Sequence, residues 1–309
     1  MVNVRWESYK GSKIFEDIHY RFSKYLEEIS GLVLTESDYY DILHVHRLDR
    51  ISIRKDRKFK IVATIHFDLS DITMFHDYDI FVENVKVVDE FICLNNSQAE
   101  HLKKMGVYQR INIIPHGYDA RSFSNIENRL NYKRLKRKTS IGFLSRRYPS
   151  RVKGENLLFE IATYLNPSEY CFILSGQDRY IDSIKLRNLG FEVFLISNSD
   201  YGNVIKSYKL LDCALILSKS EGGPASLPDL LLSGVKVIAK PVGMCKDINH
   251  GNLIKANTIE DFLLKIREVR YSRGECELLE SKCPSYGLYS WDSVFDMLVD
   301  TYLRLCVKF

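Results

Sequence analysis

The sequence lacks the features that mark membrane, secreted and disulfide-stabilised proteins. No apolar run approaches the roughly 18–20 residues that a membrane-spanning helix needs. The first ten residues lack the apolar core of a signal peptide. The seven cysteines are an odd number and include no CxxC pair, which argues against a zinc site and against a disulfide framework. We therefore expect a reducing, cytoplasmic environment.

What remains is the composition of an ordinary globular protein, with 45% hydrophobic and 27% charged residues in a chain of 309. That length allows one large domain or two of about 150 residues each. The net charge of +4 is unevenly distributed, because the stretch from Lys133 to Gly154 holds nine basic residues and no acidic one. This stretch is either a solvated surface loop or an anion site for phosphate, nucleic acid or an acidic membrane face.

Short β-rich runs alternate with amphipathic helical stretches, and the continuous apolar character of the runs is typical of strands buried in parallel sheets. The predicted strands are 2–6, 42–46, 61–66, 90–94 and 111–115, then 140–144, 171–175, 193–196, 213–217 and 235–239. The predicted helices include 156–165, 202–211, 258–270 and one that a capping box at Ser97–Glu100 opens. A polar, basic break separates the two series, so we expect two doubly wound α/β domains facing each other, with ligands at the strand ends.

The strongest candidate site follows the predicted strand 213–217. A Gly-Gly turn there leads into a helix that begins near Ser226, and such a turn allows a ligand close to the backbone. Glu221 lies in the turn and Asp229 in the first helical turn, so both carboxylates can face one crevice. Alternatively, Ser226-x-x-Asp229 is a helix-capping pattern and Glu221 an ordinary turn carboxylate.

Two further sets of residues follow predicted strands. Arg146, Arg147 and Lys153 lie in the loop after strand 140–144, where guanidinium and ammonium groups can neutralise a diphosphate; the alternative is a basic surface loop. His44 and His46 share one face of a strand, and His66 ends the next strand. A histidine at such a position either donates a hydrogen bond, titrates near neutral pH or is purely structural.

One acidic pair is a weaker candidate. Asp77-Tyr-Asp79 has the spacing of a DxD metal-binding motif. That motif normally follows a nucleotide-binding strand, whereas no clear strand precedes this one. We therefore predict no metal site.

The C-terminal half resembles the family-4 retaining glycosyltransferases of the GT-B fold. Residues Glu221–Gly234 match the E-x7-E segment of that family, except that Asp229 replaces its second glutamate and Leu230 the alanine after it. Residues Gly142–Gly154 resemble its Arg…Lys-Gly diphosphate loop.

The resemblance extends to the N-terminal half and the C-terminus. The matching strand ends are Asp41–His46, Thr64–His66 and Ile113–Asp119, and Tyr289–Tyr302 resembles the closing helix that crosses back onto the N-terminal domain. The resemblance thus implies a GT-B architecture of two Rossmann-like domains facing a cleft. Its parts are an acceptor-side domain over 1–120 completed by helix 288–309, a linker over 121–139 and a nucleotide-sugar donor domain over 140–287.

The same resemblance implies roles for individual residues. Glu221 is expected to contact the donor sugar, Asp229 the ribose, and Lys153 with Arg146 or Arg147 the departing diphosphate. The residues expected to be catalytic are Glu221, Lys153, Arg147 and His66. Those expected to bind the donor are Arg146, Gly222, Gly223, Pro224, Ala225, Ser226, Asp229 and Asn198. Those expected on the acceptor side are Gly11, His46 and His116.

The implied activity is retaining, metal-independent transfer of a hexose from a UDP- or GDP-sugar to a hydroxyl of a glycan, lipid-linked or other glycoconjugate acceptor, with no cofactor. Two alternatives stay open. One is a nucleic-acid-directed transferase or binder that uses the basic segment 133–153, although a nucleic-acid partner is not favoured. The other is a non-catalytic partner that keeps the fold. A peripheral contact with the inner face of an anionic membrane is compatible with the sugar-transfer activity.

Overall fold

The computed structural model describes residues 1–7, 13–29, 31–53, 57–119, 138–196, 201–271 and 288–306. The chain divides into two compact units. The first comprises Met1–Gly117 together with Tyr289–Phe309, and the second comprises Tyr118–Leu288. Of the expected linker 121–139, only Lys138 and Thr139 lie within the described residues, and Thr139 already begins a strand.

The first unit is built on a six-stranded parallel sheet with the order β2-β1-β3-β4-β5-β6. Its strands are β1 Val2–Glu7, β2 Leu32–Leu34, β3 Ile42–Val45, β4 Lys60–Ile65, β5 Glu90–Cys93 and β6 Arg110–Ile113. Its first helices are α1 Lys13–Leu26, α2 Tyr78–Val85 and α3 Asn96–Lys104, and a 3₁₀ turn occupies Ile72–Met74.

The second unit has its own six-stranded parallel sheet, with the order β12-β11-β10-β7-β8-β9. Its strands are β7 Thr139–Leu144, β8 Tyr170–Ser175, β9 Glu192–Ile196, β10 Cys213–Ile216, β11 Lys236–Ala239 and β12 Leu253–Lys255. Its helices are α4 Glu155–Thr163, α5 Tyr180–Asn188, α6 Tyr201–Tyr208, α7 Leu227–Leu232, α8 Met244–Asp247 and α9 Ile259–Tyr271. The prediction of two Rossmann-like parallel-sheet domains is confirmed.

The C-terminal helix, α10 Trp291–Cys306, packs in the core of the first unit against β1 and α1. Phe295 contacts Phe22, with ring centroids 5.1 Å apart. The buried Tyr302 hydroxyl accepts a hydrogen bond from Trp6 Nε1 at 3.0 Å. The last helix of the chain therefore completes the core that the first strand begins.

Two local predictions need correction. The N-cap of α3 is Asn95 rather than Ser97: its side chain accepts a hydrogen bond from Gln98 N at 2.9 Å. Gln98 Oε1 in turn accepts from the backbone N–H of Leu94, the residue before the cap, at 2.7 Å. Asn95 and Gln98 therefore cap the helix two residues earlier than predicted. The edge strands β2 and β12 were not predicted, because runs of three residues carry no periodic signal.

The strand order of the second sheet locates the place where a ligand is expected. Successive strands lie on one side from β7 to β9 and on the other from β10 to β12, so the order reverses between β7 and β10. Open parallel sheets bind ligands beyond the carboxyl ends of the strands at such a point. Among the described residues, no helix is both long and apolar enough to cross a bilayer.

Candidate functional site

Two loops leave the second sheet at its reversal point. One loop, Ser145–Gly154, follows β7, and the other, Ser218–Ser226, follows β10. They are joined by the backbone, because Lys219 N donates to Val152 O at 2.8 Å. Gly154 allows this approach: it has a φ of +88°, and a Cβ there would lie 2.1 Å from Leu217 O. No other residue type fits that position without moving one of the loops.

The loops place Lys153 and Glu221 in direct contact although they are 68 residues apart in sequence. Lys153 Nζ donates to Glu221 Oε2, and Ser218 Oγ donates to the same oxygen at 3.0 Å. The two side chains are only 17% and 9% exposed. Burial alone lowers the pKa of Lys153, but the Glu221 carboxylate outweighs that effect and the pKa is raised. The site therefore holds a fixed ammonium beside a fixed carboxylate.

The glycine turn after Glu221 is supported from the segment that follows β11. Met244 N donates to Gly222 O at 3.2 Å. Gly243 has a φ of +52°, and a Cβ there would lie 2.3 Å from Glu221 O. Glu221 and Gly222, at the start of the turn, thus lie against a backbone that leaves no room for a side chain at position 243. Gly243 is not among the predicted site residues, although Pro241 and Gly243, two and four residues after a buried strand, are recognisable turn signals.

The structure does not show the capping bond that was the alternative explanation for Asp229. Ser226 precedes α7, but its side chain makes no capping hydrogen bond; its hydroxyl donates to Leu144 O at 3.4 Å. The buried Asp229 carboxylate accepts from Asp119 N at 3.1 Å. Asp229 therefore holds the backbone of a segment that is distant in sequence.

The two adjacent arginines have different surroundings. Arg147 is half-buried, and its Nε donates to Asp182 Oδ1 at 3.2 Å. Arg146 is exposed, and its guanidinium lies over the Tyr148 ring at 5.2 Å from the centroid. The same ring lies 5.8 Å from Lys153 Nζ. Tyr148 was not singled out in the sequence, because nothing local shows that its ring contacts two of the cations.

A buried guanidinium lies beneath this loop. Arg179 is 1% exposed and donates to Ser145 O at 2.7 Å and to Arg146 O at 3.2 Å. It also pairs with the buried carboxylates of Glu155 and Asp182. None of these three residues is among the predicted site residues. Asp182 is three residues from Arg179 in sequence, whereas the contact of Arg179 with Glu155 depends on how the segments after β7 and β8 are arranged.

The histidines at the carboxyl edge of the first sheet form one contiguous group. His44 Nε2 shares a hydrogen bond with Thr64 Oγ1 at 2.7 Å, and its Nδ1 is bonded to the Tyr302 hydroxyl. His46 Nδ1 shares a hydrogen bond with His66 Nε2 at 2.9 Å. The His116 ring lies 6.1 Å from that of His66.

These histidines are held neutral. Burial, followed by the charge of neighbouring histidines, lowers the pKa of His46 to about 3 and shifts the pKa values of His44 and His66 well below 6.5. They are therefore hydrogen-bonding groups near neutral pH rather than groups that titrate there. His46 Nε2 is buried and has no hydrogen-bond partner in the described part of the chain.

Two predicted site residues, Gly11 and Asn198, lie outside the described residues, as does most of the basic run 133–138.

The acidic pair at 77–79 begins a helix: Asp77 is the N-cap of α2, and its side chain accepts a hydrogen bond from Ile80 N at 2.9 Å. Within the described ranges, no three His, Cys, Asp or Glu side chains are grouped so that they could hold a metal ion.

Comparison with known proteins gives a family match and a set of similar folds. The model for the family described as glycosyl transferases group 1 matches residues 127–281. The search of curated proteins finds no match.

Three solved structures illustrate the similarity of fold. The pneumococcal O-GlcNAc transferase GtfA in complex with UDP and GlcNAc is 17% identical, with a TM-score of 0.62 over 86% of this chain and 57% of that one. A glycosyltransferase from Rickettsia africae is 14% identical, with a TM-score of 0.66 over 98% of both chains. Anabaena Alr3699/HepE in complex with UDP is 12% identical, with a TM-score of 0.69 over 98% of this chain and 100% of that one. The chain therefore spans little more than half of the pneumococcal protein. The structural similarity to these proteins establishes the two-domain GT-B fold.

Proposed function

Because the chain belongs to the family of glycosyl transferases group 1, we propose that it transfers a sugar from a nucleoside diphosphate sugar to an acceptor hydroxyl. The observation that carries this proposal is the Lys153–Glu221 pair at the reversal point of the second sheet. A cation there suits a diphosphate, and a carboxylate beside it suits sugar hydroxyls. Both GtfA and HepE were crystallised with UDP, so a UDP-sugar is the first donor to test and a GDP-sugar the second.

In this proposal the bond between the anomeric carbon and the phosphate oxygen breaks, and negative charge develops on the leaving diphosphate. Lys153 and Arg147 stabilise that charge from fixed positions, which is where most of the rate enhancement is expected to arise. Glu221 accepts hydrogen bonds from the donor sugar. Gly222, Gly223, Ala225 and Ser226 are proposed to contact the sugar and phosphates through the backbone of the turn, in which Pro224 has no N–H to donate.

The remaining assignments follow the resemblance to the retaining family-4 enzymes. Asp229 is proposed to contact the ribose with the carboxylate that already holds Asp119 N. The histidines His46, His66 and His116 are proposed to hydrogen-bond the acceptor. The acceptor oxygen bonds to the anomeric carbon from the same face that the diphosphate leaves, and the departing phosphate takes the proton of the acceptor hydroxyl. Attack from that face retains the configuration at the anomeric carbon, and two fixed cations make a metal ion unnecessary.

Thermal unfolding with UDP, GDP, ADP, CMP and their sugar derivatives tests the donor site. A ligand at 100 times its Kd adds about 2.7 kcal/mol of stability, which a melting scan resolves. We expect one nucleoside diphosphate to stabilise the protein and Lys153→Ala to abolish that shift, whereas Glu221→Ala should keep the shift with the nucleoside diphosphate and lose the extra shift that the sugar adds. Lys219→Ala is the matched control, because Lys219 is an exposed lysine in the loop that carries Glu221. A protein that melts cooperatively but responds to no nucleotide would contradict the proposal.

Transfer itself needs a separate measurement, because a non-catalytic protein of this fold could also bind a nucleotide. An assay that uses the donor identified by thermal unfolding and measures release of the nucleoside diphosphate distinguishes an active transferase from a non-catalytic protein. The anomeric proton coupling of the product reports whether the configuration is retained. Donor binding without release or transfer would favour the non-catalytic alternative.

A further inference from the structure

A buried ionic network supports the loop that carries Arg147. At its centre, Arg179 donates to Glu155 Oε1 at 3.0 Å and to Asp182 Oδ2 at 2.5 Å. The side chains of both acids are fully buried, and the guanidinium of Arg179 lies 4.3 Å from the centre of the Phe143 ring. The formal charges of Arg147, Arg179, Glu155 and Asp182 balance.

The network also fixes the backbone of the loop. Arg179 donates from Nε to Ser145 O and from Nη2 to Arg146 O. The same Nη2 also donates to Ser145 Oγ at 2.9 Å. Arg147 N donates to Gln177 O at 3.0 Å. Gly176 has a φ of +140°, and a Cβ there would lie only 2.0 Å from Ser145 O. The residues after β8 are therefore packed directly against the residues after β7.

Asp182 is the residue of the ionic network that contacts both Arg179 and Arg147. Its Oδ2 is held by Arg179, and its Oδ1 accepts from Arg147 Nε. A guanidinium is planar, so a contact at Nε sets the direction of the other N–H groups. Stability alone is a weak reason for such an arrangement, because a buried ion pair is often replaceable by apolar side chains without loss of stability.

We propose that Asp182, anchored by Arg179, is a positioning residue that orients the Arg147 guanidinium toward the donor diphosphate. This inference rests on the proposed function and makes it more specific. It assigns the diphosphate contact to Arg147 rather than to the exposed Arg146, whose guanidinium lies over the Tyr148 ring. A lysine at position 147 would keep the charge but has a single nitrogen to share between the carboxylate and the ligand.

A double-mutant cycle on UDP affinity, with calorimetry as the readout, tests the proposal. We expect Asp182→Asn to weaken UDP binding about tenfold, the size of one charge-assisted hydrogen bond. The same change should cause no further loss in an Arg147→Ala background. Asp178→Asn is the matched control, because Asp178 is exposed and lies four residues earlier in the same segment. Arg146→Ala should weaken UDP binding less than Arg147→Ala does.

The outcomes are separable. An equal loss from Asp182→Asn with and without Arg147 would show that Asp182 acts only through the fold, which overturns the inference and leaves the proposed function intact. A wild-type protein that binds neither UDP nor any other nucleoside diphosphate overturns the proposed function instead, and the inference falls with it. If Asp182→Asn does not fold, Arg147→Lys carries the test: about tenfold weaker UDP binding supports a required orientation, and wild-type affinity refutes it.

Discussion

At the residue scale, the contact between Lys153 and Glu221 imposes a competition. The ammonium proposed to bind the diphosphate is the group that donates to Glu221 Oε2. A diphosphate bound to Lys153 would therefore lie close to the Glu221 carboxylate, and both groups are negatively charged. In the proposed function, Glu221 favours the hydroxyl groups of the donor sugar and repels the phosphates.

Glu221→Gln should for this reason strengthen the binding of UDP while it weakens catalysis. Two unit charges about 4 Å apart interact by about 1 kcal/mol even at the dielectric constant of bulk water, near 80, so removing one of them should change Kd by at least about fivefold. Calorimetric titration with UDP and an assay of sugar transfer give the two readouts. Glu160→Gln, which removes an exposed carboxylate from α4, is the control and should change neither. Weaker binding of UDP by Glu221→Gln would contradict the competition.

Gly243 provides a second prediction at this scale. Gly243→Ala should lower both the stability of the second unit and its affinity for the donor, because the new Cβ would meet Glu221 O at 2.3 Å and Gly222 O at 2.5 Å. A strained position of this kind costs about 1–3 kcal/mol. Calorimetric unfolding and UDP titration measure the two effects.

Two glycines serve as controls for this change. Gly106→Ala tests a positive φ without crowding, since φ is +83° and nothing lies within 4 Å of the added Cβ. Gly251→Ala introduces neither strain nor contact. If Gly243→Ala behaves like Gly106→Ala and binds UDP normally, the support of the glycine turn by this segment is not needed for donor binding.

At the scale of elements, the first unit depends on a helix contributed by the far end of the chain. Helix α10 supplies Phe295 and Tyr302 to the core around β1 and α1. The Tyr302 hydroxyl is bonded both to Trp6 Nε1 and to His44 Nδ1. Residues almost 300 positions apart in sequence, Trp6 and Tyr302, are thus joined by a buried hydrogen bond.

Tyr302→Phe should destabilise the first unit by about 1–3 kcal/mol, because it leaves two buried polar groups without their partner. The chain has two tryptophans, Trp6 and Trp291, and both lie in this unit, so tryptophan fluorescence during urea unfolding reports on it selectively. Tyr289→Phe removes the hydroxyl of a tyrosine that is 38% exposed and should leave the midpoint unchanged. An unchanged midpoint for Tyr302→Phe would argue against a contribution of this bond to stability.

At the scale of the whole molecule, the buried histidines make stability depend on pH. The pKa values of His44, His46 and His66 are lowered in the folded chain, first by burial and then by neighbouring histidines. Below pH 6.5 the unfolded chain binds protons that the folded chain does not. Stability therefore falls as the pH falls, from 6.5 down to about 3 in the case of His46.

The expected slope is at most about 1.4 kcal/mol per pH unit for each histidine. Urea midpoints from tryptophan fluorescence at pH 7.5, 6.5 and 5.5 should show a plateau above pH 6.5 and a decline below it. His46→Gln should make the decline shallower, whereas His101→Gln, in α3, should not. A flat profile between pH 7.5 and 5.5 would show that these histidines are protonated as readily in the folded chain as in the unfolded one.

Much of the fold is predictable from local sequence. Ten of the twelve strands in the described part of the chain were predicted to within a residue or two, because a parallel strand buried on both faces is a continuous apolar run between breakers. Three-residue edge strands such as β2 are too short for such a pattern. Helix α5 was not predicted, since its sequence, YIDSIKLRN, mixes polar and apolar residues without a clear apolar face.

The sequence by itself determined the class of fold and the residue types at the strand ends: glycines where loops must approach closely, cations after β7 and an acid after β10. Only the tertiary structure decided which of these residues meet. The register of β7, β8 and β10 brings Lys153 to Glu221 and Arg147 to Asp182. The physical reason is that apolar periodicity is a local property of the chain, whereas the pairing of charges depends on which strand ends become neighbours in the sheet.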